Sequence, residues 1–82
     1  MHATPVIAYI ALGANLGDAM QTLREAIKNL GSIPHTGLVK HSSLYQTAPV
    51  DSRGPDYINA VAEIFTRLPA PELLAQLQTQ ER

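Results

Sequence analysis

The sequence contains no cysteine, so it has no disulfide framework, thiolate nucleophile or thiolate metal site. It also lacks an excess of charge, because six Lys and Arg residues against seven Asp and Glu residues leave a net charge of -1. A chain without a basic field has no long-range attraction for nucleic acid or for an anionic membrane. With one Phe and three Tyr, it also has few rings for stacking on bases. These absences argue against a nucleic-acid-binding protein.

Long apolar runs are missing as well. The first apolar run, residues 6–12, is too short to span a bilayer and has neither a basic flank nor a small-residue cleavage pattern. We therefore expect a cytoplasmic protein. The 82 residues are 45% hydrophobic and 16% charged, which is typical of a folded chain. Because no internal repeat or low-complexity segment is present, we expect one domain over residues 1–82.

The first half of the sequence predicts a strand followed by a helix. Residues 6–12 are β-branched, aromatic or small and carry no charge, so we expect a strand buried on both faces. A turn with two glycines leads to Asp18, which can cap a helix. Apolar residues then recur at helical spacing, and Gly31 occupies the position of a C-terminal cap. The apolar residues of this helix are Met20, Leu23, Ile27 and Leu30.

The second half predicts two strands and a helix. Residues 38–47 have strand composition, and alternation would place Val39, His41, Ser43, Tyr45 and Thr47 on one face. Residues 48–55 form a loop by their turn chemistry, and residues 57–66 form the next strand. Pro71 and Glu72 mark the first turn of a helix whose apolar face is Leu73, Leu74 and Leu77. The order predicts an α+β, ferredoxin-like βαββα(β) fold with an antiparallel sheet and its final strand missing from this chain.

Three features that could suggest chemistry are better explained by structure. The turn at residues 13–18 lacks the Lys and the Ser or Thr of a phosphate-binding P-loop. The three histidines are not at ligand spacing, so we expect no metal site in this chain. Asp51 and Asp56 could form a carboxylate pair, but aspartates in loops usually stabilise turns.

Asn59 and Tyr57 are the strongest candidates for binding. Asn is disfavoured inside strands, so Asn59 either bonds to a neighbouring loop or reads the amide-like edge of a ligand. Tyr57 points the same way, two residues earlier, and could pack in the fold or stack on a flat ring. The pair favours a planar, polar-edged ligand.

These motifs resemble those of the hydroxymethyldihydropterin pyrophosphokinases of folate biosynthesis. The matching segments are residues 8–18 (AYIALGANLGD), 42–50 (SSLYQTAPV), 55–61 (PDYINAV) and the helix that begins at PELL. The resemblance covers nearly the whole chain, as the amino-terminal half of that fold. It implies transfer of pyrophosphate from ATP to the hydroxymethyl group of 6-hydroxymethyl-7,8-dihydropterin, with two Mg²⁺ ions.

The resemblance also implies roles for individual residues. Thr47 and Asn59 would bind the polar edge of the pterin, Ala48 and Val50 would line its pocket by their backbones, and Tyr57 would stack on the ring. Gln78 and Glu81 would lie near ATP.

The family's catalytic loop, its paired magnesium-binding aspartates and a second stacking ring find no match in this chain. We therefore expect the catalytic and Mg²⁺-binding residues in a carboxy-terminal half that is absent here, and we expect the 82-residue chain alone to be inactive. A companion chain or segment would complete the sheet. The alternative is a non-catalytic ferredoxin-like module that binds a planar metabolite or dimerises through its sheet.

Overall fold

The structure, a computed structural model, describes residues 4–49 and 53–80, with the backbone alone at Gln80. Within these residues, four strands and two helices follow one another. They are β1 (Val6–Ala14), α1 (Ala19–Leu30), β2 (Thr36–His41), β3 (Tyr45–Thr47), β4 (Tyr57–Thr66) and α2 (Ala70–Gln80). All strand pairs are antiparallel, in the order β1-β4-β2, and β3 pairs with β4 beyond the end of β2. This α+β arrangement is consistent with the predicted ferredoxin-like fold.

The hydrophobic core lies between β4 and the two helices. Ala62 and Ile64 of β4 are fully buried and pack against Leu30 of α1, while Leu73 and Leu77 of α2 contact the same cluster. Both helices therefore cover one face of the sheet. We call the other side the open face; it is defined by Tyr57, Asn59, Val61, Glu63 and Phe65 of β4 with their cross-strand neighbours. This division confirms the alternation predicted for residues 57–66.

Helix α1 begins and ends as the sequence indicates. The Asp18 carboxylate accepts a hydrogen bond from the Gln21 N–H at 3.1 Å, which satisfies one of the free donors of the first turn. At the other end, Gly31 donates its N–H to the Lys28 carbonyl at 3.2 Å. The predicted apolar residues Leu23, Ile27 and Leu30 are buried, whereas Met20 in the first turn is 44% exposed.

Strand β1 is not buried on both faces, so that prediction was wrong. Its even-numbered residues from Ala8 onward are half-buried under the helices, while Ile7 and Tyr9 are 52% and 68% exposed on the open face. Within the described ranges β1 pairs with β4 alone, which leaves its second edge without a partner strand. An uncharged run can thus belong to a strand covered on one side only.

The predicted strand over residues 38–47 is two strands, because the chain leaves the ladder between His41 and Tyr45. Ser42 explains the break. Its N–H donates to the Val61 carbonyl at 2.8 Å, but the Val61 N–H donates to the Ser42 hydroxyl, at 2.9 Å, rather than to a backbone carbonyl. A serine side chain thus replaces one backbone acceptor of the sheet.

The irregularities also correct the face assigned to His41. The register shifts by one residue between Leu38 and Lys40 and again before Tyr45. As a result, His41 pairs with Ala62 of the covered face, whereas Tyr45 and Thr47 pair with residues of the open face. A one-residue slip moves side chains to the opposite face, so simple alternation failed here.

Helix α2 confirms the predicted first turn with Pro71 and Glu72, but not its whole apolar face. Leu73 and Leu77 contact the core, whereas Leu74 is 56% exposed and borders a groove between the helices. In the part of the chain that the structure describes, neither helix is long and apolar enough to cross a membrane.

Thr66 is a buried polar residue that closes the end of the sheet. Its hydroxyl lies 2.7 Å from that of Thr36 and accepts the Leu68 N–H at 3.1 Å. We expect Thr66→Val to lower the free energy of unfolding by about 1 to 3 kcal/mol, because the Leu68 N–H would stay buried and unpaired. Urea denaturation would measure this loss. Thr79→Val is the control, since Thr79 is exposed, and equal losses for the two variants would contradict the role of Thr66.

Candidate functional site

One corner of the open face brings together three residues predicted to bind a ligand, Thr47, Tyr57 and Asn59. Strand β3 pairs with the start of β4, which sets Thr47 directly across from Tyr57 and Tyr45 directly across from Asn59. On its other side Asn59 faces Gly13 of β1. Because cross-strand partners project to the same side of a sheet, these side chains share one surface.

The Asn59 carboxamide is held by Thr47. Its Nδ2 donates a hydrogen bond of 2.7 Å to the Thr47 hydroxyl oxygen, which joins β4 to β3. This bond uses one of the two Nδ2 protons and leaves the Thr47 hydroxyl proton available to a further acceptor. Of the two roles predicted for Asn59, the structure shows a bond to a neighbouring segment, although the partner lies on strand β3 rather than in a loop. Recognition of a ligand by Asn59 stays a prediction.

The carboxamide oxygen of Asn59 points toward β1. A Cβ atom placed on Gly13 would lie only 3.2 Å from Asn59 Oδ1, closer than most contacts made by real Cβ atoms. The absence of a side chain at Gly13 gives this oxygen room beside the strand. The carboxamide thus spans from β1 to β3, with its oxygen at one end and its nitrogen at the other.

Two tyrosines offer ring surface next to this polar pair. Tyr57 is 40% exposed and Tyr45 is 58% exposed, so neither ring is part of the core. An exposed aromatic face beside hydrogen-bonding groups suits a flat ligand with a polar edge.

The remaining predicted site residues lie elsewhere or outside the described ranges. Ala48 follows β3 directly and is exposed. Gln78 lies on α2 and borders a groove of about 640 Å³ between the two helices and β1, which also reaches Gly13. Val50 and Glu81 fall outside the residues that the structure describes.

A hydrogen bond joins Gln46 and Asp56 beside the site. Gln46 Nε2 donates to Asp56 Oδ2 at 2.8 Å, which ties β3 to the residue that precedes β4. Asp56 is thereby engaged in a turn-stabilising contact, the kind of role expected for a loop aspartate. Asp51, its suggested partner in a carboxylate pair, lies outside the described residues.

Farther along the open face lies a second polar row formed by Tyr9, Glu63 and Lys40. A hydrogen bond from Tyr9 to the Glu63 carboxylate, together with that negative charge, raises the pKa of the phenol above its ordinary value. Lys40 Nζ lies 4.0 Å from Glu63 Oε1. Across residues 4–49 and 53–80, no cluster of three His, Cys, Asp or Glu side chains could hold a metal ion.

Sequence reasoning missed Gly13 and Tyr45 as parts of this corner. The sequence predicts a strand over residues 6–12 and places Gly13 in the turn that follows, but β1 continues to Ala14 and pairs Gly13 with Asn59. Tyr45 had a usable signal, since it shares the alternation of Thr47. The contact of Gly13 with Asn59 depends on strand register, which one sequence does not display.

Residues 9–82 match the family of the 7,8-dihydro-6-hydroxymethylpterin-pyrophosphokinases (HPPK). Three bacterial relatives carry the name 2-amino-4-hydroxy-6-hydroxymethyldihydropteridine pyrophosphokinase. The Haemophilus influenzae protein is 43% identical over 93% of this chain and 48% of its own length. The Bacillus subtilis protein is 41% identical over 92% of this chain and 46% of its own length. The Pseudomonas putida protein is 39% identical over 90% of this chain and 62% of its own length.

The chain therefore spans about half the length of two of these relatives, 48% and 46%. A match to one family over residues 9–82 covers nearly all of the described residues, including the corner formed by Gly13, Thr47, Tyr57 and Asn59. This chain belongs to the 7,8-dihydro-6-hydroxymethylpterin-pyrophosphokinase family.

Proposed function

We propose that this chain is the pterin-binding, amino-terminal half of an enzyme that transfers pyrophosphate from ATP to the hydroxymethyl group of 6-hydroxymethyl-7,8-dihydropterin. The observation that carries the proposal is the hydrogen-bonded pair of Asn59 and Thr47, placed beside the exposed ring of Tyr57 in a chain of this family. We place the work of the protein in folate biosynthesis. Its cytoplasmic location stays a prediction from the sequence.

In this proposal the polar pair recognises the edge of the pterin. Asn59 offers its carbonyl oxygen as an acceptor and its second Nδ2 proton as a donor, and Thr47 offers its hydroxyl proton. Such alternating groups complement the amino and amide groups of a pterin. Because Asn59 is already fixed by Thr47, less ordering is required when the ligand binds.

Neighbouring residues would enclose the ring. The backbones of Ala48 and Val50 would border the pterin, and the ring of Tyr57 would stack on one of its faces. The work of this half is to hold the hydroxymethyl group in position, since pyrophosphoryl transfer depends mainly on alignment of the reactants and on charge stabilisation.

We propose that ATP binds toward α2, near Gln78 and Glu81. The position of Gln78 supports this placement of ATP, because Gln78 borders the groove between the two helices and β1, and that groove also reaches Gly13. The described residues do not fit Mg²⁺, because no carboxylate cluster is present among them and Asp56 is engaged by Gln46. We therefore expect residues beyond this chain to hold Mg²⁺, and we assign it no step here.

A companion chain or segment would complete the sheet. The support for it is the unpaired edge of β1 in the described ranges and the exposed apolar residues of the open face, among them Ile7, Val61 and Phe65. The same features favour the alternative function, a non-catalytic module that dimerises through its sheet or binds a planar metabolite.

A chimera separates the two functions. In it, this chain replaces the matched region of the Haemophilus influenzae relative, so that the rest of that protein supplies what this chain lacks. We expect the chimera to release AMP from ATP only when 6-hydroxymethyl-7,8-dihydropterin is present. A chimera that melts cooperatively but neither binds pterin nor releases AMP would favour the non-catalytic module.

The stacking role of Tyr57 is tested in the same chimera. We expect Tyr57→Phe to bind pterin nearly as well as the parent, because the ring remains. Tyr57→Ala should bind at least about three- to tenfold more weakly, since an aromatic contact contributes about 0.5 to 1.5 kcal/mol beyond its buried area. Calorimetry measures both affinities, and Tyr9→Ala on the same face is the control. Equal affinities of the Phe and Ala variants would argue against stacking.

A further inference from the structure

The corner of the open face contains a feature that the proposed pterin contacts do not explain, the side-chain-free position at Gly13. Gly13 is the cross-strand partner of Asn59 in the β1-β4 ladder. Here the backbone does not demand glycine, since positive φ angles among the described glycines occur only at Gly17 and Gly54. Gly in a strand interior weakens the strand and often marks a site of close approach.

We propose that Gly13 is a positioning residue that fixes the orientation of the Asn59 carboxamide. The inference rests on the proposed function and deepens it. A Cβ atom at position 13 would stand 3.2 Å from Asn59 Oδ1, so the carboxamide would have to move by a few tenths of an ångström. At its other end the carboxamide is held at 2.7 Å by the Thr47 hydroxyl oxygen.

Thr47 and Gly13 contact opposite ends of the Asn59 carboxamide. In this geometry Thr47 accepts from the nitrogen of the carboxamide, and the oxygen lies toward β1. Gly13 makes that direction sterically open. The carboxamide therefore presents its oxygen and its second Nδ2 proton in one fixed order, which a ligand with an adjacent donor and acceptor requires.

The other cross-strand neighbour of Asn59 belongs to β3, the strand that also carries Thr47. Tyr45 lies across from Asn59 on β3 and is 58% exposed. An added methyl group at Gly13 acts from the opposite side, at the oxygen end. We therefore expect the effect of Gly13→Ala to depend on the presence of the Asn59 carboxamide.

The first test needs no ligand. In the full 82-residue chain, NMR of the two Asn59 Nδ2 protons should show a clear shift in Gly13→Ala, because displacement of the carboxamide changes the geometry of its bond to Thr47. Gly31→Ala is the matched control, since its Cβ would meet its nearest neighbour, the Lys28 carbonyl oxygen, at an ordinary 3.5 Å. Unmoved Asn59 resonances in Gly13→Ala would overturn the proposal.

A double-mutant cycle of Gly13→Ala and Asn59→Ala, measured by urea denaturation, separates this contact from a general effect of Gly13→Ala on the fold. In the Asn59→Ala background, Gly13→Ala should raise the urea midpoint, because Ala is favoured over Gly in a strand and no carboxamide remains to be displaced. In the parent chain that gain should be absent or reversed. Equal changes of the midpoint in both backgrounds would overturn the proposal, because the Asn59 side chain would then play no part.

The link to function is measured separately in the chimera with 6-hydroxymethylpterin as the probe. We expect Gly13→Ala to weaken binding about tenfold, the equivalent of one misplaced hydrogen bond, and Gly31→Ala to leave it unchanged. Parental affinity in Gly13→Ala would overturn the positioning role. If the parent chimera itself binds no pterin, the proposed function fails, whereas the ligand-free NMR result still decides whether Gly13 orients Asn59.

Discussion

Replacement of Asn59 by alanine is expected to abolish detectable pterin binding by the chimera while leaving its fold intact. The carboxamide is the group that offers both an acceptor and a donor at the corner of the open face, and Thr47 holds it at 2.7 Å. Each ligand group left unpaired by its removal costs about 1 to 3 kcal/mol, which corresponds to a loss of about 5- to 150-fold in affinity per bond. Calorimetry with 6-hydroxymethylpterin measures the loss.

Two further variants show whether this loss is specific. Val61 is 46% exposed and follows Asn59 along the same face of β4. Val61→Ala should leave the affinity for pterin unchanged. Asn59→Asp keeps the shape but loses the donor protons, so it should bind much more weakly than the parent. Unchanged binding in Asn59→Ala would remove Asn59 from the site and the main support for the proposed function.

The second large effect concerns catalysis. The 82-residue chain alone is expected to release no AMP from ATP in the presence of Mg²⁺ and pterin, whereas the chimera should do so. The reason is chemical, since the described residues include no carboxylate cluster for Mg²⁺ and Asp56 is engaged by Gln46.

The assay follows AMP with and without pterin and with and without Mg²⁺. Pterin-dependent AMP release by the isolated chain would show that the groups that bind the metal ions lie within these 82 residues. In that case Asp56 would have to exchange its bond with Gln46 for a metal ion, and Asp56→Asn would then abolish the activity.

Much of the fold could be predicted from the sequence because local signals were strong. The cap at Asp18, the apolar residues of α1 other than Met20 and the alternation along β4 each reflect short-range rules, and each agrees with the structure. The errors arose where the outcome depends on neighbours. Ser42 replaces a backbone acceptor of Val61, and no propensity indicates that a hydroxyl takes part in a ladder.

The candidate site shows the same limit. The alternation of β4 placed Tyr57 and Asn59 on one side, and the family resemblance added Thr47, which the structure joins to Asn59. The sequence could not show that Gly13 borders the same carboxamide, because that contact follows from the β1-β4 register over a long separation in the chain.

The most direct test of the account maps where the pterin binds. Titration of the isotope-labelled chimera with 6-hydroxymethylpterin should shift NMR signals at Gly13, Thr47, Ala48, Tyr57 and Asn59, at the corner of the open face. The Tyr9 and Glu63 signals, farther along the same face, should stay in place. Shifts confined to the groove between the two helices, at Leu74 and Gln78, would contradict the account, because the ligand would then occupy the covered side of the sheet.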